Sequence, residues 1–133
     1  MGEEHPNVEI ARRVWEAVAS GDAERIAAFY APDAVVRGYG TEGPLVGEFK
    51  GIAEILDRLA RLGEGVDDLR SEVLEIYPGD SGAVIRYRSR ATRGGKQIDM
   101  QYLYVLTIEA GRITRAVQIP TDQRRHDEFW RSQ

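Results

Sequence analysis

The tetrapeptide Arg93-Gly94-Gly95-Lys96 constrains this chain more than any other stretch. Both central glycines tolerate the positive φ that a type I′ turn requires, so the spacing predicts a two-residue hairpin loop. With Arg93 opposite Lys96, the flanking strands pair without choice. Ala91 meets Ile98, Ser89 meets Met100, Tyr87 meets Tyr102, Ile85 meets Tyr104 and Ala83 meets Leu106. On the other face Arg90 meets Asp99, Arg88 meets Gln101 and Arg86 meets Leu103. A slip of one residue would expose the apolar and aromatic set and bury the charges, so the pattern itself sets the register. The tyrosine face is the interior one. Asp99 is therefore expected as an outward partner of Arg90, worth under ~1 kcal/mol at a surface, and not as a catalytic carboxylate.

Around this hairpin the period of apolar residues changes once. Residues 8–19 read as a helix with a broad stripe including Val8, Ala11, Val14, Trp15 and Val18. Gly21 suits the left-handed position after it, and Asp22 suits the N-cap of a second helix, Ala23 to Tyr30. "DAVVRGY" reads as a short strand and "GTEGPLVGE" as a glycine- and proline-rich loop. A third helix from Gly51 to Gly63 aligns Ile52, Ile55, Leu56, Leu59 and Leu62. From Asp68 onward the period is two, with strands at Leu69–Tyr77, Gly82–Thr92, Gln97–Ile108 and Ile113–Ile119. Three helices followed by an antiparallel meander predict an α+β layer, with the helices packed in the concave face of a strongly curved sheet. The last turn, "EAGR", allows two loops. A three-residue loop pairs Ile108 with Arg112 and sends Gln118 inward opposite Tyr102, and is the favoured one; a two-residue loop sends Val117 and Ile119 inward instead. The charged tail, residues 121–133, is expected to dock a short helix through Phe129 and Trp130, with Asp122 as its cap.

Composition narrows the chemistry. A chain of 133 residues is one domain's worth and buries roughly two-thirds of its unfolded surface. It has no cysteine, which excludes disulfides, thiol catalysis and thiolate metal sites. Its two histidines, His5 and His126, stand near opposite ends and argue against a His-rich metal centre. A net charge of −4 argues against nucleic acid as a partner. Short apolar runs and the lack of a basic-then-apolar leader point away from membranes and toward the cytoplasm.

The order of elements, with "VASGDAERIAAFYAPDAVVRGYG", "GPLVGEFKGIAEIL" and "EAGRITRAVQI", resembles the nuclear-transport-factor-2-like superfamily. It is most similar to the SnoaL-like, polyketide-cyclase-like branch and the ketosteroid-isomerase-like branch, over about residues 8–130. The resemblance implies a cone-shaped cystatin-like roll with an apolar cavity open at one end, and a dimer formed through the outer sheet face. The ketosteroid isomerases use a general-base aspartate, a tyrosine and a protonated aspartate. Those positions fall here at Gly38, Val14 and Tyr104, so that machinery is missing. The acid/base positions of the SnoaL-like cyclases match Tyr104 and Gln118.

Tyr104 and Gln118 are accordingly the candidate catalytic residues, and Trp15, Tyr30, Tyr39, Tyr87, Met100 and Tyr102 the candidate ligand-binding ones. A tyrosine with an unperturbed pKa of ~10 costs on the order of 4 kcal/mol to ionise at pH 7, so it serves as a neutral donor and not as a base. Tyr39, between two glycines, is expected to close the mouth. His126 is the one inexpensive proton shuttle at neutral pH, provided that the tail folds over the cavity. The expected ligand is a hydrophobic, oxygenated ring compound, handled without metal or cofactor. Two outcomes stand: isomerisation, cyclisation or dehydration of that compound, or a non-catalytic binding or dimerising accessory of the same fold.

Overall fold

A computed structural model describes residues 5–131; residues 1–4, and residues 132–133 of the expected tail, lie outside the described residues. In chain order the elements are α1 Pro6–Ser20, α2 Ala23–Phe29, β1 Tyr30–Gly38, β2 Gly47–Lys50, α3 Gly51–Gly65, β3 Asp67–Gly79, β4 Gly82–Arg93, β5 Lys96–Glu109, β6 Arg112–Pro120 and α4 Gln123–Trp130. The strands form one curved, unclosed sheet in the order β2-β1-β6-β5-β4-β3. Helix α1 packs on β3 and β4, α3 on β1 and β2, and α4 on β5 and β6. This is the expected α+β roll.

Local chemistry explains the boundaries. Gly21 takes φ 71° after α1, and its N–H donates to the Val18 carbonyl; Asp22 then accepts from the N–H groups of Glu24 and Arg25 to cap α2. These two residues turn the chain between helices at no side-chain strain. The Gly94-Gly95 loop has φ 54° and 85°, and all pairs from Arg93↔Lys96 to Ala83↔Leu106 stand in the expected register. The face carrying Ile85, Tyr87, Ile98, Tyr102 and Leu106 is buried.

Four details differ from the sequence reading. The β1–β6 ladder is parallel, which places β1 inside a sheet whose other ladders are antiparallel. The presumed loop up to Glu48 gives way to β2, a four-residue strand on β1. Asp99 does stand opposite Arg90, but its carboxylate is held at 2.6 Å on both oxygens by Arg88, one step along the diagonal. A bidentate guanidinium grip is stronger than a facing single contact, and the diagonal distance suits the longer side chain.

The last hairpin combines features of both alternatives. Its loop has two residues, Ala110 and Gly111, at φ 51° and 78°, with Glu109 opposite Arg112 and Ile108 opposite Ile113. The register then shifts so that Thr107 faces Arg115, which leaves Thr114 as the extra residue of a β-bulge. Past the bulge Tyr104, and not Tyr102, faces Gln118, and Gln118 points inward. The favoured three-residue loop is therefore corrected, while the inward direction of Gln118 is found.

Candidate functional site

A cavity of about 950 Å³ lies between the concave sheet face and the helices. Strands β4, β5 and β6 contribute Tyr87, Tyr102, Tyr104 and Gln118; α1 contributes Val14, Trp15 and Val18; α3 contributes Leu56, Arg58, Leu59 and Leu62; and α4 contributes His126, Phe129 and Trp130. The wall is mainly apolar with a few convergent polar groups, the composition of a small-molecule site.

Gln118 organises one polar group. Its side-chain oxygen accepts from Arg58 Nη2 at 3.2 Å, and its amide donates to the Tyr87 hydroxyl at 2.8 Å. The Tyr87 proton is thereby left for a further acceptor. Arg58 is 3 % exposed, lies over the Phe49 ring at 5.5 Å, and its Nε has no hydrogen-bond partner. Beside this group the Tyr104 and Tyr30 hydroxyls are 2.8 Å apart; if Tyr30 donates, the Tyr104 proton faces the cavity. Burial pushes Tyr87 up to about 12, and it raises Tyr30 and Tyr104 as well, against the opposing field of Arg58. These phenols are donors at neutral pH.

The second group belongs to the tail. Asp122 caps α4 by accepting from the Arg125 N–H. Asp127 accepts from the N–H groups of Thr41 and Glu42 at 2.9 and 3.2 Å, tying α4 to the loop after β1. At the helix's far end Arg93 and Lys96 donate to the main-chain carbonyls of Glu128, Phe129 and Arg131, so the diagnostic hairpin also caps α4 with positive charge. Glycine is required at one contact: Gly43 sits at φ 105°, and a Cβ there would lie 2.6 Å from Trp130 Cγ. Docked in this way, α4 presents His126, which is 1 % exposed. Its Nδ1 is 2.9 Å from the Tyr102 hydroxyl, and its Nε2 has no hydrogen-bond partner. Burial holds His126 below the usual histidine range, opposed by Asp127 and the Glu42 main chain. It is neutral at pH 7. Tyr102, whose phenol burial also raises, stacks on Tyr87 at 5.5 Å between ring centres.

Of the expected site residues, Trp15, Tyr87, Tyr102, Tyr104 and Gln118 line the cavity. Three do not. Tyr30 is buried behind Tyr104 as its hydroxyl partner. Met100 is buried core, one pair beyond Tyr102 along β5. Tyr39 is 44 % exposed under the Arg37 guanidinium, because β1 ends at Gly38 and the chain turns outward; it does not close the mouth. The position matching the isomerase base, Gly38, has no room for any side chain, since a Cβ there would run into the Leu45 carbonyl. Arg58 was not singled out from the sequence. The one trace of it in the sequence is its spacing, three residues after Ile55 and four before Leu62, which places it at the edge of the α3 apolar stripe.

Comparison with known proteins agrees with this architecture. The profile described as "SnoaL-like domain" matches residues 11–116. An uncharacterised protein of Mycobacterium tuberculosis strain H37Rv is 30% identical over 126 residues, covering 93% of this chain and 95% of that one. The solved structure of Bal32a, from a soil-derived mobile gene cassette, is 28% identical with a TM-score of 0.86, covering 94% of this chain and 96% of the other. An NTF2-like protein of Burkholderia pseudomallei K96243 shares the fold at a TM-score of 0.82 and 18% identity, over 97% of this chain and 100% of its own.

Proposed function

The chain belongs to the SnoaL-like domain family, and from that premise we propose that it binds a hydrophobic, oxygen-bearing ring compound in the cavity. One observation carries the reading: a cavity of about 950 Å³, apolar over most of its wall, collects the hydroxyls of Tyr87, Tyr102 and Tyr104 on one side. Hydroxyls already held in place by Gln118, His126 and Tyr30 can meet a ligand oxygen at little reorganisation cost. Trp15, which meets Tyr87 at 4.8 Å between ring centres, supplies an aromatic wall for the ring. Tyr104 and Gln118 act as orienting groups in this reading. Tyr104 donates to the ligand oxygen, and Gln118 holds Tyr87 and Arg58 in place. The test is a thermal-shift titration with naphthol- and tetralone-sized compounds. A saturable stabilisation that Leu59→Trp abolishes by filling the cavity, and that Tyr104→Phe weakens several-fold, is the expected result. The absence of saturable binding across such a panel would remove the proposal.

A catalytic reading is favoured by one specific contact, His126 on Tyr102. Cofactor-independent isomerisation, cyclisation or dehydration needs a proton acceptor, and the tyrosines are too weakly acidic to become one. The lining carboxylate, Asp57, is exposed at the rim and paired with Arg61 at 2.9 Å. A neutral His126 can accept the Tyr102 proton while Tyr102 takes one from the ligand. Turnover that survives in Tyr104→Phe but falls at least a hundredfold in His126→Gln is the expected result for an enzyme; a non-catalytic accessory protein binds without converting anything in all variants. The proposed homodimer, through the outer face bearing Arg86, Arg88 and Arg90, is tested by light scattering of wild type and Arg88→Glu.

A further inference from the structure

We infer that the ligand is an anion, and that Arg58 is the residue that selects it. The inference rests on the binding reading above and specifies the substrate class. Arg58 is a cation 3 % exposed on the cavity wall. Among the described residues its one hydrogen bond is Nη2 to the Gln118 oxygen at 3.2 Å, a neutral acceptor. No carboxylate among the described residues forms an ion pair with it, and its buried Nε has no partner at all. The nearest carboxylate on its own helix turn, Asp57, points to Arg61 at the rim.

A buried charge without a counter-charge is among the least favourable arrangements a fold can hold, and an anionic ligand would relieve that cost. The surroundings supply no counter-charge among the described residues. Phe49 covers one face of the guanidinium, and Tyr30, Tyr87 and Tyr104 are neutral phenols that cannot balance it. The guanidinium donors share one plane and Nε is unpartnered among the described residues; such a planar fork suits the oxygens of a delocalised anion. Gln118 fixes that plane from one side. The Tyr87 and Tyr104 hydroxyls line the same cavity, so with Gln118 donating to Tyr87 and Tyr30 donating to Tyr104 a carboxylate or an ionised enol on an apolar ring would meet one cation and two neutral donors. The ring itself would lie along Trp15, Leu56 and Leu59, which line the same cavity.

The experiment measures wild-type affinity by calorimetry for two matched pairs: naphthoate against naphthalenemethanol, and ionised hydroxynaphthoquinone against naphthoquinone. The expected result is at least tenfold tighter binding of the charged member of one or both pairs, and the pair that shows it identifies carboxylate or enolate as the source of the charge. In Arg58→Gln this preference disappears while the neutral compound still binds; in Arg58→Lys, which keeps the charge and loses the planar fork, an intermediate preference is expected. Equal affinity for charged and neutral members in the wild type, or a preference that survives Arg58→Gln, overturns the inference and leaves the cavity reading intact. Failure of all four probes to bind overturns both. The wild-type comparison stands even if a variant does not fold.

Discussion

Gln118 offers its oxygen to Arg58 and its amide to Tyr87, so Gln118→Glu changes one atom and supplies the counter-charge that the guanidinium lacks. Arg58 is already dehydrated in the native protein, so only the new carboxylate adds a desolvation term, and Tyr87 can turn its hydroxyl to donate to it. An ion pair in place of a bond from the same cation to a neutral amide is worth on the order of 1–2 kcal/mol here. The variant is expected to gain that stability in urea unfolding and to lose the affinity for anions, because the site is then internally neutralised. A drop in stability would show that Arg58 is already balanced. At this scale the sequence was informative where a periodic neighbour exposed the residue: Tyr87, Tyr102 and Tyr104 follow from the hairpin register. Arg58 did not follow, because an arginine at the margin of a helical stripe reads as a solvated charge until the opposing strand is known to carry Gln118.

Elements with local pairing were legible and those joined across the chain were not. Gly94-Gly95 defines β4 and β5 by itself, whereas β1 meets β6 more than seventy residues away, where no turn chemistry links them. The bulge at Thr114 was hidden for a related reason: a turn motif specifies where a strand begins but not whether it keeps its phase. The bulge reconciles a two-residue loop with inward Ile113, Ala116 and Gln118. A pair of deletions tests that role. Removing Thr114 takes out the unpaired residue and leaves Ala116 and Gln118 facing inward. Removing Val117 turns Gln118 outward and breaks its bonds to Arg58 and Tyr87. Since a phase change exchanges buried for exposed side chains, deletion of Val117 is expected to cost at least ~2 kcal/mol more than deletion of Thr114, an amount near that of two buried hydrogen bonds and their stranded partners. Equal losses in urea melts would remove the phase-correcting role of the bulge.

The whole molecule closes through α4, and two adjacent residues of that helix make its closure depend on pH. The family match ends at residue 116, yet the segment beyond it completes the cavity wall with His126, Phe129 and Trp130, which is why the tail's composition gave only its docking and not its role. His126 has a lowered pKa in the folded state because burial opposes its charge. Unfolded chains therefore bind more protons than folded ones between that lowered value and the ordinary ~6.5, and stability rises with pH across this window and is lost as pH falls through it. Asp127 is buried too, which would raise its pKa, but the hydrogen bonds from Thr41, Glu42 and Gln123 together hold it below the usual aspartate value. Its contribution is present above the unfolded pKa of ~3.9 and disappears as pH falls toward the folded one. The two groups thus act in the same direction in separate windows. Urea unfolding between pH 3 and 8 should show a first decline below about pH 6.5 and a second below about pH 4. His126→Gln, whose amide can still meet Tyr102, flattens the first decline and keeps the second. Asp127→Asn removes the second and extends the first to lower pH, because His126 loses the neighbouring negative charge that favours its protonated form. If His126→Gln leaves the upper decline unchanged, the helix is not closed over the cavity in solution, and the wall that α4 provides would have to be reassigned to another part of the chain.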